Sequence, residues 1–276
     1  MRWVRPLASQ SKIQTFGVLG AGVYGMALGG VLASNGHEVN YYDPKIEGSN
    51  LKDVVERAQF VMICTPSEVV PSLLPEIPKN KSLIVATKGF LLEKPFNEFE
   101  DWMVISGPGY ADDIKAGKPT HLTATDSRVV EMFATEYLTF DMTSDKRGVL
   151  MCGALKNVYA ILAGILKLSP ESPGYVGRLD EFATEMRVLL SANNAKPETV
   201  DLACGKADLR LTCYYPSRNY EFGRQLAEDT TIRPVKTVEG LTALRRIKSG
   251  EITVPENLPY LRKLLNECES WGCWKR

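Results

Sequence analysis

The chain has 276 residues, which is enough for one large domain or for two smaller domains that each bury a hydrophobic core. Hydrophobic residues make up 44% of the chain and charged residues 24%, values that are typical of a globular protein. Thirty-three Lys and Arg balance thirty-three Asp and Glu, which excludes a general electrostatic attraction to nucleic acid or to an anionic membrane.

The first half of the sequence alternates short apolar runs with helical segments. Six runs that are bounded by Gly, Pro, Asn or Asp predict strands at Ile13–Leu19, Glu38–Tyr42, Phe60–Cys64, Leu83–Ala86, Trp102–Ile105 and His121–Ala124. Helices are predicted between them at Val23–Ser34, Leu51–Ala58 and Val129–Tyr137. This alternation predicts an α/β domain over residues 1–142, with a doubly wound parallel sheet of the Rossmann type.

After about residue 143 the strand pattern ends, and prolines separate longer helical stretches. Helices are predicted at Lys146–Leu168, Leu179–Ala192, Arg218–Ala227, Thr237–Lys248 and Leu258–Cys268. We therefore predict an all-helical second domain, residues 143–276, that binds the substrate. The longest apolar stretch has Lys156 and Asn157 at its middle, which favours a buried helix over a membrane span because a lysine is costly in lipid.

The motif G-x-G-x-x-G follows the first predicted strand directly and begins a helix, with glycines at positions 20, 22 and 25. Gly20 permits a tight turn, Gly22 lets the backbone approach a pyrophosphate, and Gly25 allows close packing of helix and strand. The pyrophosphate would lie against the free N–H groups at the helix N-terminus, where Val23 and Tyr24 are further candidates for cofactor binding. The alternative is that the glycines only form a turn.

Asp43 follows the second predicted strand, 23 residues after Gly20. An acid at this place hydrogen-bonds the adenosine ribose of a dinucleotide, and it would repel the 2′-phosphate of NADP. Lys45 could instead supply a cation for that phosphate. The sequence therefore indicates NAD as the cofactor, with NADP as the alternative.

Lys156 is the first candidate for the chemistry. Reduction of a ketone by hydride needs a proton donor beside the carbonyl oxygen, and burial lowers the pKa of a lysine toward the range of acid–base catalysis. The alternative is a lysine whose side chain extends along the helix to solvent. Asp208 and Thr212 are four residues apart, so they would share one face of a helix and could orient this lysine, although Asp208 could instead cap a helix.

Ser217, Arg218 and Asn219 begin a predicted helix directly after a proline. The planar guanidinium of Arg218 is suited to a phosphate group, and the N–H groups of a helix N-terminus would add to the binding. The alternative is a capping serine that is followed by surface residues.

Taken in order, these segments resemble the NAD(P)-dependent glycerol-3-phosphate dehydrogenase family. The matching pieces are Gly17–Leu28, Thr65–Ser67, Ala86–Phe90, Ser106–Ala111, Gly117–Thr120, Gly153–Asn157, Asp208–Gly223 and Val238–Ala243. The resemblance implies that Lys156 is the acid–base residue, that Asp208 supports it, and that Lys88 contacts both cofactor and substrate. It further implies substrate contacts from Gly107, Ser217, Arg218 and Asn219, and cofactor contacts from Ala111, Arg218 and Glu239. Asn157 and Thr212, which we expect beside Lys156, are further candidates for substrate binding.

The chain also departs from the family pattern. Gly109 stands where a small hydroxyl residue is usual, and Ala207 replaces a glycine before Asp208. The segment between the second and third strands is short, and Ser169–Arg178 replaces a stretch rich in Gly and Asn. These changes bear on affinity, cofactor choice and turnover more than on the reaction class.

The resemblance implies that the chain interconverts dihydroxyacetone phosphate and sn-glycerol 3-phosphate with NAD(P)H, as a step toward phospholipids or in redox balance. A related dehydrogenase for another hydroxy or keto acid, and a nucleotide-binding protein without turnover, are the alternatives. The six cysteines have neither a CxxC pair nor metal-ligand spacing, so we expect no metal and a cytoplasmic location. The family resemblance is compatible with a homodimer.

Overall fold

The computed structural model describes residues 12–214 and 217–273, and it contains one seven-stranded sheet in the order β2-β1-β3-β4-β5-β6-β7. The strands are β1 Thr15–Leu19, β2 Glu38–Tyr42, β3 Phe60–Ile63, β4 Ser82–Val85, β5 Asp101–Ser106, β6 Thr120–Ala124 and β7 Leu138–Met142. The predicted Rossmann-type α/β class is confirmed. The sequence-based expectations for residues 1–11 lie outside the described residues.

Two features of the sheet differ from the prediction. The sheet is not wholly parallel, because β6 pairs with β5 in the antiparallel direction and β7 then pairs parallel to β6. Strand β7 was not predicted, since its sequence LTFDM is half polar and only Leu138 is fully buried in it. The helix predicted over Val129–Tyr137 correspondingly ends at Phe133.

Both faces of the sheet are covered, which explains why its central strands are apolar throughout. Successive residues of a strand point to opposite faces. In β4, for example, Leu83 and Val85 pack in one core cluster and Ile84 packs in the other. The carboxyl ends of β1, β3, β4 and β5 therefore emerge between two layers of helices, which is where ligands bind in open α/β sheets.

The helices of the first half are short, and those of the second half include the longest in the chain. They are α1 Val23–Ser34, α2 Leu51–Arg57, α3 Val70–Leu73, α4 Ala111–Lys115, α5 Ser127–Phe133, α6 Lys146–Ile165, α7 Tyr175–Ala192, α8 Asp208–Thr212, α9 Arg218–Glu228, α10 Glu239–Lys248 and α11 Pro259–Ser270. The predicted all-helical second half is confirmed for the described residues, whereas the division of the chain into two domains at residue 142 stays a prediction.

Helix α6 is the central element of the second half. Its 20 residues are long and apolar enough to cross a bilayer, but 94% of its most apolar window is buried inside the protein. Helices α7, α8, α9, α10 and α11 all pack against it. The interpretation of this segment as a buried helix is confirmed.

Three glycines allow the backbones of α6, α9 and α10 to approach closely. A side chain at Gly164 of α6 would overlap the Tyr220 carbonyl, and one at Gly223 of α9 would overlap the Ile161 carbonyl. Gly240 at the start of α10 lies equally close to the carbonyl of Asn157. The first half of α9 is thereby held against the C-terminal part of α6, and the start of α10 against its middle.

Candidate active site

The glycine motif forms the loop between β1 and α1. Gly20 has φ +101°, a conformation that L side chains rarely adopt, and its backbone lies against Thr65 after β3. A side chain at Gly25 would overlap the Gly20 carbonyl, so this glycine lets α1 begin directly beside β1. A Cβ at Gly22 would meet no atom of the described residues within 4 Å. The space above Gly22 is therefore open to a ligand at the N-terminus of α1, the helix that carries Val23 and Tyr24 in its first turn.

Asp43 holds this loop from the end of β2. One carboxylate oxygen accepts a hydrogen bond from the Ala21 backbone N–H at 3.1 Å, and the other accepts from the Lys45 N–H at 3.0 Å. The carboxylate thus lies directly beside the glycine loop, as the prediction of a ribose-binding acid requires. It also orders the loop itself, a function that the sequence did not indicate.

Three charged side chains and one hydroxyl meet in the core between the sheet and α6, and we call them the lysine cluster: Lys88, Lys156, Asp208 and Thr212. The Lys156 ammonium nitrogen lies 2.6 Å from one oxygen of Asp208 and 3.0 Å from the Thr212 hydroxyl. The Lys88 ammonium nitrogen lies 3.3 Å from the other Asp208 oxygen. One carboxylate therefore bridges two ammonium groups, and the prediction that Asp208 and Thr212 share a helical face with Lys156 beside them is confirmed.

Burial sets the protonation behaviour of the lysine cluster. The Lys156 side chain is 7% exposed and that of Asp208 is 1% exposed. Burial lowers the pKa of Lys156 to about 8, and the charge of Lys88 adds to this effect while Asp208 opposes it. For Lys88 burial also acts to lower the pKa, but the charge of Asp208 outweighs it and the pKa is raised. The two lysines of the cluster therefore differ, because the pKa of Lys156 is lowered and that of Lys88 is raised.

A single π-helical turn, Ala203–Ala207, precedes Asp208 and is anchored to the sheet. The backbone N–H of Cys204 donates to the Thr123 hydroxyl of β6, and that of Ala203 donates to the Asp141 carboxylate of β7. Turns of this kind recur at functional sites because they redirect a side chain. Here the turn leads into α8 and presents Asp208 to α6.

Lys88 connects the lysine cluster to the glycine loop. Its ammonium donates to the Gly107 carbonyl after β5 at 2.7 Å and lies 5.3 Å from the centre of the Tyr24 ring. Ala111, at the start of α4, packs in the same core cluster as Tyr24. The structure thus brings the predicted residues Lys88, Gly107 and Tyr24 together, with Ala111 on the α1 side of the cleft.

The N-terminus of α9 is joined to α6 by a hydrogen-bonded network. The Asn219 amide donates to the Asn157 side chain at 2.9 Å and accepts from the Gly240 backbone N–H at 2.9 Å. Ser217 is the N-cap of α9, as the structural alternative proposed. Arg218 is exposed, and its guanidinium forms no ion pair with the part of the chain that the structure describes. Its charge is therefore free to bind an anion.

Glu239 lies at the start of α10, beside the loop that follows β3. Its carboxylate accepts from the Ser67 backbone N–H at 3.0 Å and from the Ser67 hydroxyl at 2.5 Å. Burial raises the pKa of Glu239 above its ordinary value, although the bonds from Ser67 counteract this. These bonds tie α10 to the loop after β3, so Glu239 faces the sheet edge that carries the glycine loop.

Two polar residues at the carboxyl ends of β3 and β5, Thr65 and Ser106, received no individual role from the sequence. The hydroxyls of Thr65 and Ser106 are buried without a hydrogen-bond partner among the described residues, and the Tyr24 hydroxyl is in the same state. Unpaired buried hydroxyls are rare because desolvation is costly. The one signal in the sequence was position, since Thr65 and Ser106 lie at the carboxyl ends of β3 and β5.

Comparisons with known proteins agree with this geometry. A family model described as NAD-dependent glycerol-3-phosphate dehydrogenase C-terminus matches residues 145–255. A glycerol-3-phosphate dehydrogenase [NAD(P)+] of Brucella canis is 30% identical over 267 residues, which cover 79% of this chain and 82% of the relative. The enzyme of the same name from Citrifermentans bemidjiense is 29% identical, with 90% and 87% covered. The crystal structure of glycerol-3-phosphate dehydrogenase from Coxiella burnetii superimposes with a TM-score of 0.76 at 26% identity, covering 94% of this chain and 98% of that one.

Proposed function

Because the chain belongs to the NAD(P)-dependent glycerol-3-phosphate dehydrogenase family, we propose that Lys156 is the proton donor when dihydroxyacetone phosphate is reduced to sn-glycerol 3-phosphate. In the reverse reaction the neutral amine accepts the proton of the substrate hydroxyl. The contact of Lys156 with Asp208 inside the lysine cluster is the observation that carries this assignment.

The burial of Lys156 supports an acid that can also act as a base. A general acid works best when its pKa lies close to the operating pH. Burial holds the pKa of Lys156 at about 8, so both protonation states are accessible under cellular conditions. The Thr212 hydroxyl fixes the direction of the ammonium group, because it donates to the Asp208 carbonyl at 2.7 Å and accepts from Lys156.

Asp208 balances the charge of two ammonium groups in a buried place. Without this carboxylate, Lys156 and Lys88 would repel each other across a medium that screens charge poorly. The Lys88 ammonium is also held by the Gly107 carbonyl, and it reaches the glycine loop through Tyr24. Lys88 is therefore positioned to hold the substrate beside the nicotinamide while Lys156 exchanges the proton.

The phosphate of the substrate would be held at the N-terminus of α9. Arg218 offers an exposed guanidinium that forms no ion pair with residues 12–214 or 217–273, and the first backbone N–H groups of α9 add the positive end of the helix dipole. Asn219 keeps this helix end beside Asn157, the residue that follows Lys156.

The glycine loop fits the diphosphate of a dinucleotide. Among the described residues, no atom fills the space above Gly22 and none pairs with the hydroxyls of Tyr24 and Thr65, which offer donors at the same edge. When bound, the nicotinamide supplies or accepts the hydride at the carbon of the substrate. On the family resemblance, Ala111, Arg218 and Glu239 would complete the cofactor contacts. Asp43 favours NAD over NADP, because its carboxylate would repel a 2′-phosphate.

The direct test is a spectrophotometric assay of NADH or NADPH oxidation with dihydroxyacetone phosphate. We expect turnover by the native chain, and a loss of about 100-fold to 10,000-fold for Lys156→Met. The dissociation constant for NADH should stay nearly unchanged, since the lysine acts on the substrate. Lys167→Met is the matched control, because Lys167 follows the same helix but forms only an exposed ion pair with Glu228. An active Lys156→Met variant would contradict the mechanism.

We also propose that the chain is located in the cytoplasm. All six cysteines are free thiols in the structure, as expected for a compartment where thiols stay reduced. As a separate proposal, we infer that the chain forms a homodimer. Light scattering on the purified chain should give about twice the chain mass of 30.6 kDa if the dimer forms. A mass of one chain at micromolar concentration would contradict this proposal without affecting the proposed reaction.

A further inference from the structure

The hydroxyl of Ser106 is a buried polar group that the proposed mechanism does not use. Ser106 is the last residue of β5 and is 3% exposed, and its oxygen has no hydrogen-bond partner among the described residues. A buried hydroxyl that lacks a partner destabilises the fold relative to a paired one, because it has lost its hydrogen bonds to water. Such a group in an active site therefore points to a partner that arrives with the ligand.

The surroundings of Ser106 place it beside the lysine cluster. A Cβ built on Gly153 of α6 would lie 3.2 Å from the Ser106 oxygen and 3.8 Å from the side-chain carbons of Lys88. Gly153 is one helical turn before Asn157, which donates to its carbonyl. The absence of a side chain at Gly153 thus lets α6 pack directly against the Ser106 hydroxyl, next to the side chain of Lys88 and one turn before Lys156.

Residues 107–110, which follow β5 directly, provide no competing hydroxyl. Tyr110 already donates its hydroxyl to the Leu211 carbonyl at 3.2 Å. Gly109 has no side chain, and the carbonyl of Gly107 is occupied by Lys88. In the turn that follows β5, Ser106 is therefore the hydroxyl that remains available for a substrate.

We propose that Ser106 is a specificity-determining residue that hydrogen-bonds the C1 hydroxyl of the substrate. This inference rests on the proposed function. Dihydroxyacetone phosphate has three polar groups, of which the phosphate is suited to cations and the carbonyl oxygen to the Lys156 ammonium. The remaining group is a neutral hydroxyl, and a serine hydroxyl can both donate to it and accept from it.

The proposed hydrogen bond would make the enzyme select substrates that carry the C1 hydroxyl. A site that is built to hydrogen-bond a hydroxyl rejects an analogue without it, because the polar group of the protein is then left buried and unpaired. Ser106 should therefore favour dihydroxyacetone phosphate over hydroxyacetone phosphate, in which a hydrogen replaces the C1 hydroxyl. Removal of the serine hydroxyl should reduce that preference.

The experiment measures kcat/KM for both ketones with the native chain and with Ser106→Ala. We expect the variant to lose about 10- to 100-fold on dihydroxyacetone phosphate and to change less than threefold on hydroxyacetone phosphate, so that the ratio of the two falls. Ser82→Ala is the matched control, because Ser82 begins the neighbouring β4 at the far end and donates to Asp101. For Ser82→Ala, the ratio of kcat/KM for dihydroxyacetone phosphate to kcat/KM for hydroxyacetone phosphate should equal that of the native chain.

The outcomes separate this inference from the proposed function. If the native chain does not reduce dihydroxyacetone phosphate, the proposed function fails. If the native chain is active and Ser106→Ala loses equally on both ketones, or on neither, the assignment of Ser106 is wrong. Should Ser106→Ala be insoluble, Ser106→Cys keeps nearly the same volume with a weaker donor, and the same fall in the ratio is required of it.

Discussion

The two sides of the cleft are built in different ways. The glycine loop, residues 20–25, works by the absence of side chains, and the contact of Gly25 with the Gly20 carbonyl joins residues only five positions apart, although Asp43 and Thr65 also pack against the loop. The lysine cluster works by charges, and the partners of its two ion pairs are 52 and 120 residues apart in the sequence. The first side depends on local backbone shape, and the second depends on the fold of the whole chain.

This difference predicts different responses to substitution. A change in the glycine loop should act on cofactor binding and leave the substrate chemistry intact. A change in the lysine cluster should alter proton transfer, and it should also lower the free energy of unfolding because the charges are buried. Measurements of cofactor affinity, turnover and thermal stability together can therefore tell the two sides apart.

The largest effect is expected for Asp208→Asn. The substitution leaves two buried ammonium groups without an anion, which should lower the free energy of unfolding by about 3–5 kcal/mol. Turnover should fall by about 100-fold to 10,000-fold because Lys156 is no longer oriented. Denaturant unfolding and steady-state kinetics measure the two losses. The distinction between the two sides of the cleft would not hold if NADH affinity fell as steeply as turnover.

A smaller effect is expected in the glycine loop, where two glycines should respond differently. Gly25→Ala introduces a Cβ that overlaps the Gly20 carbonyl, so both the melting temperature and the NADH affinity should fall, the affinity by about 100-fold. Gly22→Ala has open space and a permitted backbone conformation, so it should weaken NADH binding without lowering the melting temperature. Calorimetry with and without NADH distinguishes the two variants. Equal loss of stability in both would contradict the open space described above Gly22.

The smallest effect, and the sharpest test of the lysine assignment, is the dependence on pH. Lys156 has a pKa of about 8, and ketone reduction needs its protonated form. The kcat/KM for reduction should therefore fall about tenfold per pH unit above pH 8, while that for alcohol oxidation should rise up to pH 8 and then level off. Profiles in both directions, recorded with the native chain and the Lys167→Met control, check this. A reduction profile that is flat to pH 10 would exclude Lys156 as the acid.

Sequence alone could predict the glycine side of the cleft, because a strand, a G-x-G-x-x-G turn and a helix are all encoded within about a dozen residues. It could also predict that Lys156 is buried, since the apolar residues around it form one continuous helix. The resemblance to a known family then supplied Lys88, Gly107 and Glu239, whose surroundings have no local signature. Lys88, considered by itself, has the pattern of a surface lysine after a strand.

The remaining features depend on contacts between distant segments. The antiparallel β6 and the additional β7 were missed because pairing direction is set by neighbouring strands, and LTFDM is too polar to stand out. The pairing of Ser67 with Glu239 spans 172 residues. The unpaired hydroxyl of Ser106 becomes visible only when its neighbours are in place. A serine at the end of a strand gives no indication of whether its hydroxyl has a partner.

The glycine contacts between α6 and α9 have a consequence for which substrates fit. Because Gly164 and Gly223 bring the two helices together through main-chain atoms, no side-chain rearrangement can alter their spacing. The start of α9 carries Arg218, and the middle of α6 carries Lys156, so these contacts set the distance between the backbones of the two residues. On the proposed function, a marked change in the length of the phosphorylated ketone would have to be met by the side chain of Arg218, because the two helices cannot move apart without losing these contacts.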